Sequence, residues 1–438
     1  MKKSHGIRMA GKFQGEPKQQ VKKVVGMGSA GMDYLAEVAS FPKPDDKMRT
    51  ENLELQGGGN CGNALTAAAR LGMLPTIVSK IGADSVGDAI LAEFEADGVN
   101  TDYMLRSKSG KSPFTYIIVD RETNTRTCIH TPGEAFSVDE MTSELINVIL
   151  QDASAVYFDG RLAEAALLLA KEAKARDIPI LVEAERLRPG LDELLEQADY
   201  IVTSAKFPRE WTGKDNIDDA MVSIMDRLPH VSWIATTLGS KGALLLEQLD
   251  ASECHGQAAC VGALDGSFAE SLFKEALTLR EISGNTTTKS FVTIDSECQV
   301  QSRSIASSGP FMFSGSENDQ NKREEEIRKA KESAKLAAIM NADSANPEKY
   351  ESSPLESDGA TSQRFLCLTA IESAEIPPER IVDTTGAGDA FIGSMLFSIA
   401  AGMPPVKGAE LGCLVAAVKC CKLGARPGLP YMDDITLQ

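Results

Sequence analysis

Asp383-Thr384-Thr385-Gly386-Ala387-Gly388-Asp389-Ala390-Phe391 is the stretch from which the rest of the chain is read. A Gly-Ala-Gly turn runs directly into a helix expected to begin at Asp389 or Ala390. A helix start presents backbone N–H groups with no helical partner and the positive end of the dipole, and glycine lets an anion approach the backbone closely. Gly386, Ala387 and Gly388 are therefore candidates for an anion hole around the migrating phosphoryl group of a nucleotide. A carboxylate placed there opposes phosphate unless it has work of its own. Beside an acceptor hydroxyl, Asp389 would take the proton as the oxygen attacks. Asp is also a favoured N-cap, and this stretch alone does not separate cap from base.

Upstream of that turn, apolar β-branched runs recur at Val21 to Gly28, Thr76 to Gly82, Ala155 to Gly160, Ile178 to Glu183, Tyr200 to Ser204 and Trp233 to Thr237. Helical patterns lie between most of them: Ala64 to Leu71, Val86 to Ala96, Ala163 to Ala175 and Ile217 to Leu228. Alternation of this kind predicts an α/β fold, a mostly parallel sheet with helices on both faces. Ser112 to Val119 and Asn124 to His130, joined by Asp120-Arg121-Glu122-Thr123, break the alternation and predict an antiparallel hairpin outside the main sheet.

From about Asp250 to Gln363 the composition turns to Ser, Asn, Glu and Lys, which predicts a long, largely disordered insertion. Phe268 to Arg280 and Glu324 to Met340 are its candidate helices. Regular patterning returns at Phe365 and continues through Asp389 to Ala401 and Lys407 to Leu423.

The 438 residues carry a formal charge of −18, which argues against a nucleic-acid surface. No window approaches the roughly 20 apolar residues that span a bilayer, so no membrane segment is expected. Nine cysteines without CxxC pairs or zinc spacing indicate neither a disulfide framework nor a structural metal, and fit a reducing, cytoplasmic setting. Residues 1–20 are basic, lack the apolar core of a secretory signal and are expected to form a flexible tail, for which an organellar role stays open.

Gly26-Met27-Gly28-Ser29-Ala30-Gly31 follows a strand and fits the dinucleotide pattern GxGxxG, but so does Gly57-Gly58-Gly59-Asn60-Cys61-Gly62. A nicotinamide site also requires a helix, a second strand and an acid at that strand's end. Pro42 and Pro44 stop any helix early, and Asp45, Asp46 and Glu51 have no apolar strand ahead of them.

DTTGAGDAF, taken with GGGNCGN at residues 57–63, resembles the two signature regions of the PfkB or ribokinase-like carbohydrate kinases. The resemblance spans residues 24 to 249 and 365 to 427. Within the family it looks most like the ketohexokinase (fructokinase) members, through Phe41-Pro42-Lys43 with Arg49, Phe158-Asp159-Gly160-Arg161, Val182-Glu183-Ala184-Glu185, and Gly412-Cys413 with Lys419-Cys420. It implies a three-layer α/β/α sandwich with a small β-strand lid, built from about 45–56 and 112–131, on a kinase domain of residues 21–249 and 364–438. The implied reaction is ATP-dependent phosphorylation of a sugar hydroxyl with Mg²⁺, ribose or a nucleoside being the alternative acceptors.

By the same resemblance Asp33, Gly59, Asn60 and Asn63 would hold the sugar. A carboxylate and two carboxamides supply the fixed acceptors and donors that a polyol needs. Asp33 also reads as a loop acid, and Asn63 as an N-cap of the helix from Ala64. Lys206, Thr237, Gly239, Gly242 and Cys413 would lie around ATP, with Arg126 and Arg161 as further phosphate or substrate contacts. Where ribokinases carry Asn-x-x-Glu, this chain has Ser204-Ala205-Lys206-Phe207, which leaves the protein contacts of the metal unknown. Lids of this family often form homodimers, and the insertion is either a spacer or a site for a protein partner.

Overall fold

The computed structural model describes residues 21–123, 125–249, 287–294, 300–306 and 364–435. The chain divides into one unit of Met1–Gln248 with Ile371–Gln438 and a second of Leu249–Ala370.

In the first unit, strands β1 (Lys23–Met27), β4 (Leu74–Gly82), β5 (Asn100–Ser107), β8 (Ala153–Phe158), β9 (Ile180–Ala184), β10 (Tyr200–Ser204), β11 (Trp233–Thr237) and β12 (Ala243–Leu249) form the main sheet. Their order is β12-β11-β10-β9-β8-β1-β4-β5, with every pair parallel except the antiparallel β11–β12 edge. Val156, Tyr157, Phe158 and the whole of Ile180 to Val182 are fully buried, as a parallel sheet covered on both faces requires. Helices α1 (Asn60–Arg70), α2 (Ser85–Ala96), α3 (Ser143–Leu150), α4 (Ala163–Ala175), α5 (Leu191–Leu195), α6 (Phe207–Thr212), α7 (Ile217–Arg227), α8 (Ala387–Ala401) and α9 (Pro405–Lys419) complete a three-layer α/β/α sandwich. Gly393 lets α8 cross α1 closely, since a Cβ there would stand 2.4 Å from the Ala64 carbonyl. None of the described helices is long and apolar enough to cross a membrane.

A second, four-stranded sheet has the order β3-β2-β6-β7, formed by β2 (Gly31–Val38), β3 (Asn52–Gly58), β6 (Phe114–Asp120) and β7 (Thr125–Thr131). The expected hairpin is β6–β7. Strand β2 corrects the reading of Asp33: the residue is no loop acid but the third position of a strand, paired with Thr115 and Gln56. Side chains alternate across this sheet, so Asp33, Thr115, Cys128 and His130 share one face. Tyr34, Tyr116, Leu55 and Ile129 share the other.

Two helix starts also differ from expectation. Helix α1 opens at Asn60, so Asn63 sits inside its first turn rather than capping a helix from Ala64. Helix α8 opens at Ala387, with Gly386 as its N-cap at φ +75°, so Asp389 lies in the first turn and caps nothing. In both cases glycines lower helix propensity without preventing a helix that packing demands.

In the second unit, Thr287–Ile294 and Val300–Ala306 pair antiparallel, with Phe291 opposite Arg303. The two candidate helices of the insertion, most of residues 250–363 and the tail 1–20 lie outside the described residues.

Candidate active site

Asp383 builds the turn ahead of α8. Its Oδ1 accepts from Thr385 N at 2.9 Å and Thr385 Oγ1 at 2.7 Å, and its Oδ2 accepts from Gly424 N at 2.8 Å. Gly386 takes the left-handed conformation, and the first helical bond runs from Ala390 N to Gly386 O at 2.9 Å. The Gly388 and Asp389 amides therefore precede the helical ladder. A Cβ on Gly388 would meet no atom within 4 Å, so space is open beside Gly388, whereas one on Gly386 would stand 2.8 Å from Ala425. Amides at a helix start facing open space are a ready anion site.

Half-buried Asp389 reaches away from the turn, its Oδ2 accepting from Asn63 Nδ2 at 2.8 Å. Asn63 is held from behind by Arg426, whose Nε donates to Asn63 Oδ1 at 3.0 Å and whose Nη2 donates to Gly58 O at 3.0 Å. That guanidinium is buried, 4.4 Å over the Phe94 ring. Gly59, at φ +90°, makes the turn from β3 into α1 that brings Asn60 and Asn63 to this point.

Asn60 lies one turn away. Its Nδ2 donates to Glu183 Oε1 at 2.9 Å, its Oδ1 accepts from Arg161 Nη2 at 3.0 Å, and Tyr157 donates its hydroxyl to Glu183 Oε2 at 2.7 Å. Arg161 also reaches Glu185 at 3.1 Å. Asp159 accepts from Ser29 N at 2.7 Å and Ser29 Oγ at 2.6 Å. A Cβ on Gly28 would stand 2.3 Å from the Asp159 carboxylate, and one on Gly58 would stand 2.4 Å from that of Asp33. The glycines of both GxGxxG-like runs thus make room for this chain's own acids.

Crowding so many carboxylates sets their protonation. Burial, moderated by the Asn63 bond and Arg161, raises Asp389 to about 6. Burial raises Asp33 to about 6 as well, against the pull of Arg426. Glu183 is raised further, to about 8, by burial and then by the neighbouring Asp389 and Asp159. Near neutral pH the arrangement holds Asp389 ionised beside a protonated Glu183. An ionised carboxylate fixed by one oxygen at a helix start is equipped to accept a proton.

Asp389, Asn63, Asn60, Gly59 and Arg161 thus converge on one place. Arg126, from the lid strand β7, joins the turn itself, donating to Thr384 Oγ1 at 2.8 Å and lying 3.7 Å from Asp383 Oδ1. Of the residues expected around a nucleotide, Lys206 touches the edge of this web, its backbone N–H donating to Ser204 Oγ at 3.3 Å and that hydroxyl to Glu185 O at 2.6 Å. Lys206 is exposed just after β10, Thr237 ends β11 and donates to Thr203 O at 3.3 Å, and Gly239 and Gly242 bracket the next turn at φ +62° and +94°. They follow the carboxyl ends of parallel strands, where ligands of open α/β sheets bind. Cys413 is buried in α9 among core residues such as Leu396 and Ala409, and burial pushes its thiol up to about 12. Sequence reasoning gave no role to Arg426, Glu183, Tyr157 or Lys419. Among the described residues no group of three or more His, Cys, Asp or Glu is arranged to hold a metal.

The family model of the pfkB family carbohydrate kinases matches residues 21–265 and 358–432. The ribokinase of Bacillus subtilis is 28% identical over 181 residues, 40% of this chain and 59% of the relative. Ketohexokinase of Mus musculus is 22% identical over 191 residues, 42% of this chain and 63% of the relative. The matches thus span about three-fifths of these two relatives' length. A solved structure of Arabidopsis thaliana ribokinase complexed with ribose and ATP shares the fold, with a TM-score of 0.58 at 17% identity over 95% of this chain and 97% of that one.

Proposed function

Since the chain belongs to the pfkB family of carbohydrate kinases, we propose that it transfers the γ-phosphoryl group of ATP to a hydroxyl of a free sugar of the ketohexose class, with Asp389 as general base. The acceptor hydroxyl gives its proton to Asp389, its oxygen bonds to the γ-phosphorus, and the bond to the β,γ-bridging oxygen breaks. The products are a sugar phosphate and ADP. The observation that carries this reading is the 2.8 Å bond from Asn63 to Asp389, which ties the base to the acceptor cradle.

Within the Gly386-Ala387-Gly388 turn the Ala387 amide already donates to Thr384 O at 3.2 Å, which leaves the Gly386 and Gly388 amides to meet the migrating group and stabilise charge that grows there. Asp33, Gly59, Asn60 and Asn63 hold the sugar, with Arg161 fixing the Asn60 amide. Thr237, Gly239, Gly242, Lys206 and Cys413 flank ATP. With no cage of acids among the described residues, Mg²⁺ is assigned to the nucleotide's own phosphates, and no side chain here is given the role of its ligand.

A sugar is favoured over a nucleoside by the lid. Tyr34, Phe114 and Tyr116 pack on one another with ring centroids 5.1 to 5.7 Å apart. By strand alternation their face is opposite that of Asp33, so they offer no stacking surface beside the cradle. Phe136 is buried. The same outer face exposes Leu53, Leu55, Tyr116 and Ile129, an apolar patch suited to a second copy of the chain.

ADP release measured over a panel of ketoses, aldoses and nucleosides tests the acceptor. Turnover highest with a ketohexose supports the reading; preference for ribose or a nucleoside replaces it.

A further inference from the structure

Lys419, the last residue of α9, is fully buried. Taking an ammonium out of water costs several kcal/mol unless partners replace the water. Its Nζ donates to the Asp383 carbonyl at 2.7 Å. The following carbonyl, of Cys420, accepts from Val382 N at 2.8 Å and Asp383 N at 3.2 Å, and Gly424 N donates to Asp383 Oδ2 at 2.8 Å. Residues 419–424 therefore grip the amide, carbonyl and carboxylate of Asp383, the residue that opens the anion-hole turn.

A neutral donor would satisfy one carbonyl, so the charge needs its own explanation. It sits at the C-terminal, negative end of α9, which favours a cation. Burial lowers the pKa of Lys419, and the Asp383 carboxylate works against that drop. Burial alone would raise Asp383, yet Lys419 and the bonds from Thr385 and Gly424 hold it below its usual value. Asp389 feels the same charge. A fixed cation in a dry interior acts strongly over short range.

We propose that Lys419 is a built-in cation behind the anion hole, a positioning residue that holds the 383–386 turn and adds positive potential where the phosphoryl group gathers negative charge. The inference rests on the active site proposed above. Turnover surviving Asp389→Asn removes that site, whereas an inactive Asp389→Asn with an unimpaired Lys419 variant removes only the present inference.

The test is Lys419→Met in the full chain, which keeps the apolar stem and deletes the charge. The expected result is a folded protein whose kcat falls about 10²-fold, while acceptor KM and ADP affinity change less than about threefold. Lys419→Ala leaves a space at the same point, and ethylammonium should restore its kcat about tenfold over tetramethylammonium at equal ionic strength, because the larger ion cannot enter. Wild-type activity should not respond to either. A Met variant with kcat within about threefold of wild type, or one that fails to fold, overturns the proposal by leaving Lys419 a role in stability or none. Equal response of the Ala variant to both amines overturns the role of the charge.

Discussion

Asn63 Nδ2 donates to Asp389 Oδ2 at 2.8 Å while Asn63 Oδ1 accepts from Arg426 Nε at 3.0 Å. A guanidinium only donates and an ionised carboxylate only accepts, so these two partners fix which way the amide faces. The result is a line from Gly58 O through Arg426 and Asn63 to Asp389. Each link locks the next.

Removing the guanidinium should disturb both fold and cradle. Arg426→Met leaves Gly58 O and Asn63 Oδ1 without their donor and Asp33 without its opposing charge. Breaking a buried charged network of this kind costs about 3–5 kcal/mol. Thermal unfolding should therefore move to clearly lower temperature, with acceptor KM raised by about an order of magnitude for a loss near 1.4 kcal/mol in binding. Arg426→Lys should rescue little, since a compact ammonium lacks the rigid planar fork that reaches Asn63 Oδ1 from Nε and Gly58 O from Nη2 at once. A lysine variant with wild-type stability and KM would contradict the arrangement.

Acidity should switch the enzyme off through the carboxylates. Burial raises Asp389 and Asp33 to about 6, so both are protonated below that pH and ionised above it. Only the ionised Asp389 accepts a proton. The value of kcat/KM should rise with pH through about 6 and level off towards neutrality. A limb centred near 4, the ordinary carboxylate range, would mean that burial does not govern the base.

Glu183 should act in its neutral form. Glu183→Gln keeps an acceptor for Asn60 Nδ2 and a polar group at the Tyr157 hydroxyl. Its kcat at pH 7 should stay within about threefold of wild type, because a protonated carboxyl and a carboxamide are alike in charge. Glu183→Ala leaves the buried Tyr157 hydroxyl unpaired, at about 1–3 kcal/mol, and frees the half-buried Asn60 amide, and should lower the thermal midpoint. Inactivity of the Gln variant together with full activity of the Ala variant would reverse the assignment.

Arg126 should matter to catalysis more than to folding. Its side chain is 37% exposed, and an exposed ion pair contributes at most about 1 kcal/mol. Arg126→Met should leave the thermal midpoint nearly unchanged while lowering kcat/KM, as it severs β7 from Thr384. A large fall in stability with unchanged kinetics would assign it to the scaffold.

Much of this was legible in the residues. Tyr200–Ser204 and Trp233–Thr237 occur as strands with the limits their β-branched runs imply, and Ala163–Ala175 as the helix its periodicity implies. Strand β2 escaped because Asp33 and Glu37 interrupt its apolar pattern, both being buried polar groups of the lid. Helix α8 starts two or three residues before the expected Asp389 or Ala390 because its glycines read as a turn, although Gly386 alone makes it. Arg426 carried no signal, and Lys419 entered only as part of the Lys419-Cys420 resemblance, without a role. A buried cation has no periodic signature, and its meaning comes from Asn63 and Asp383, hundreds or tens of positions away.

The role of Asp389 as base is tested most directly by kcat of Asp389→Asn. The carboxamide still accepts from Asn63 Nδ2 but takes no proton, so kcat should fall by about 10²–10⁴ with ADP affinity preserved. Folding should not suffer. A carboxyl raised by burial from 3.8 to about 6 costs the fold stability progressively as pH climbs from the lower value to the higher, and the loss is complete at pH 7, so the thermal midpoint there should equal or exceed that of wild type. A folded Asn variant that phosphorylates sugar within about tenfold of wild type would contradict the assignment of Asp389 as base.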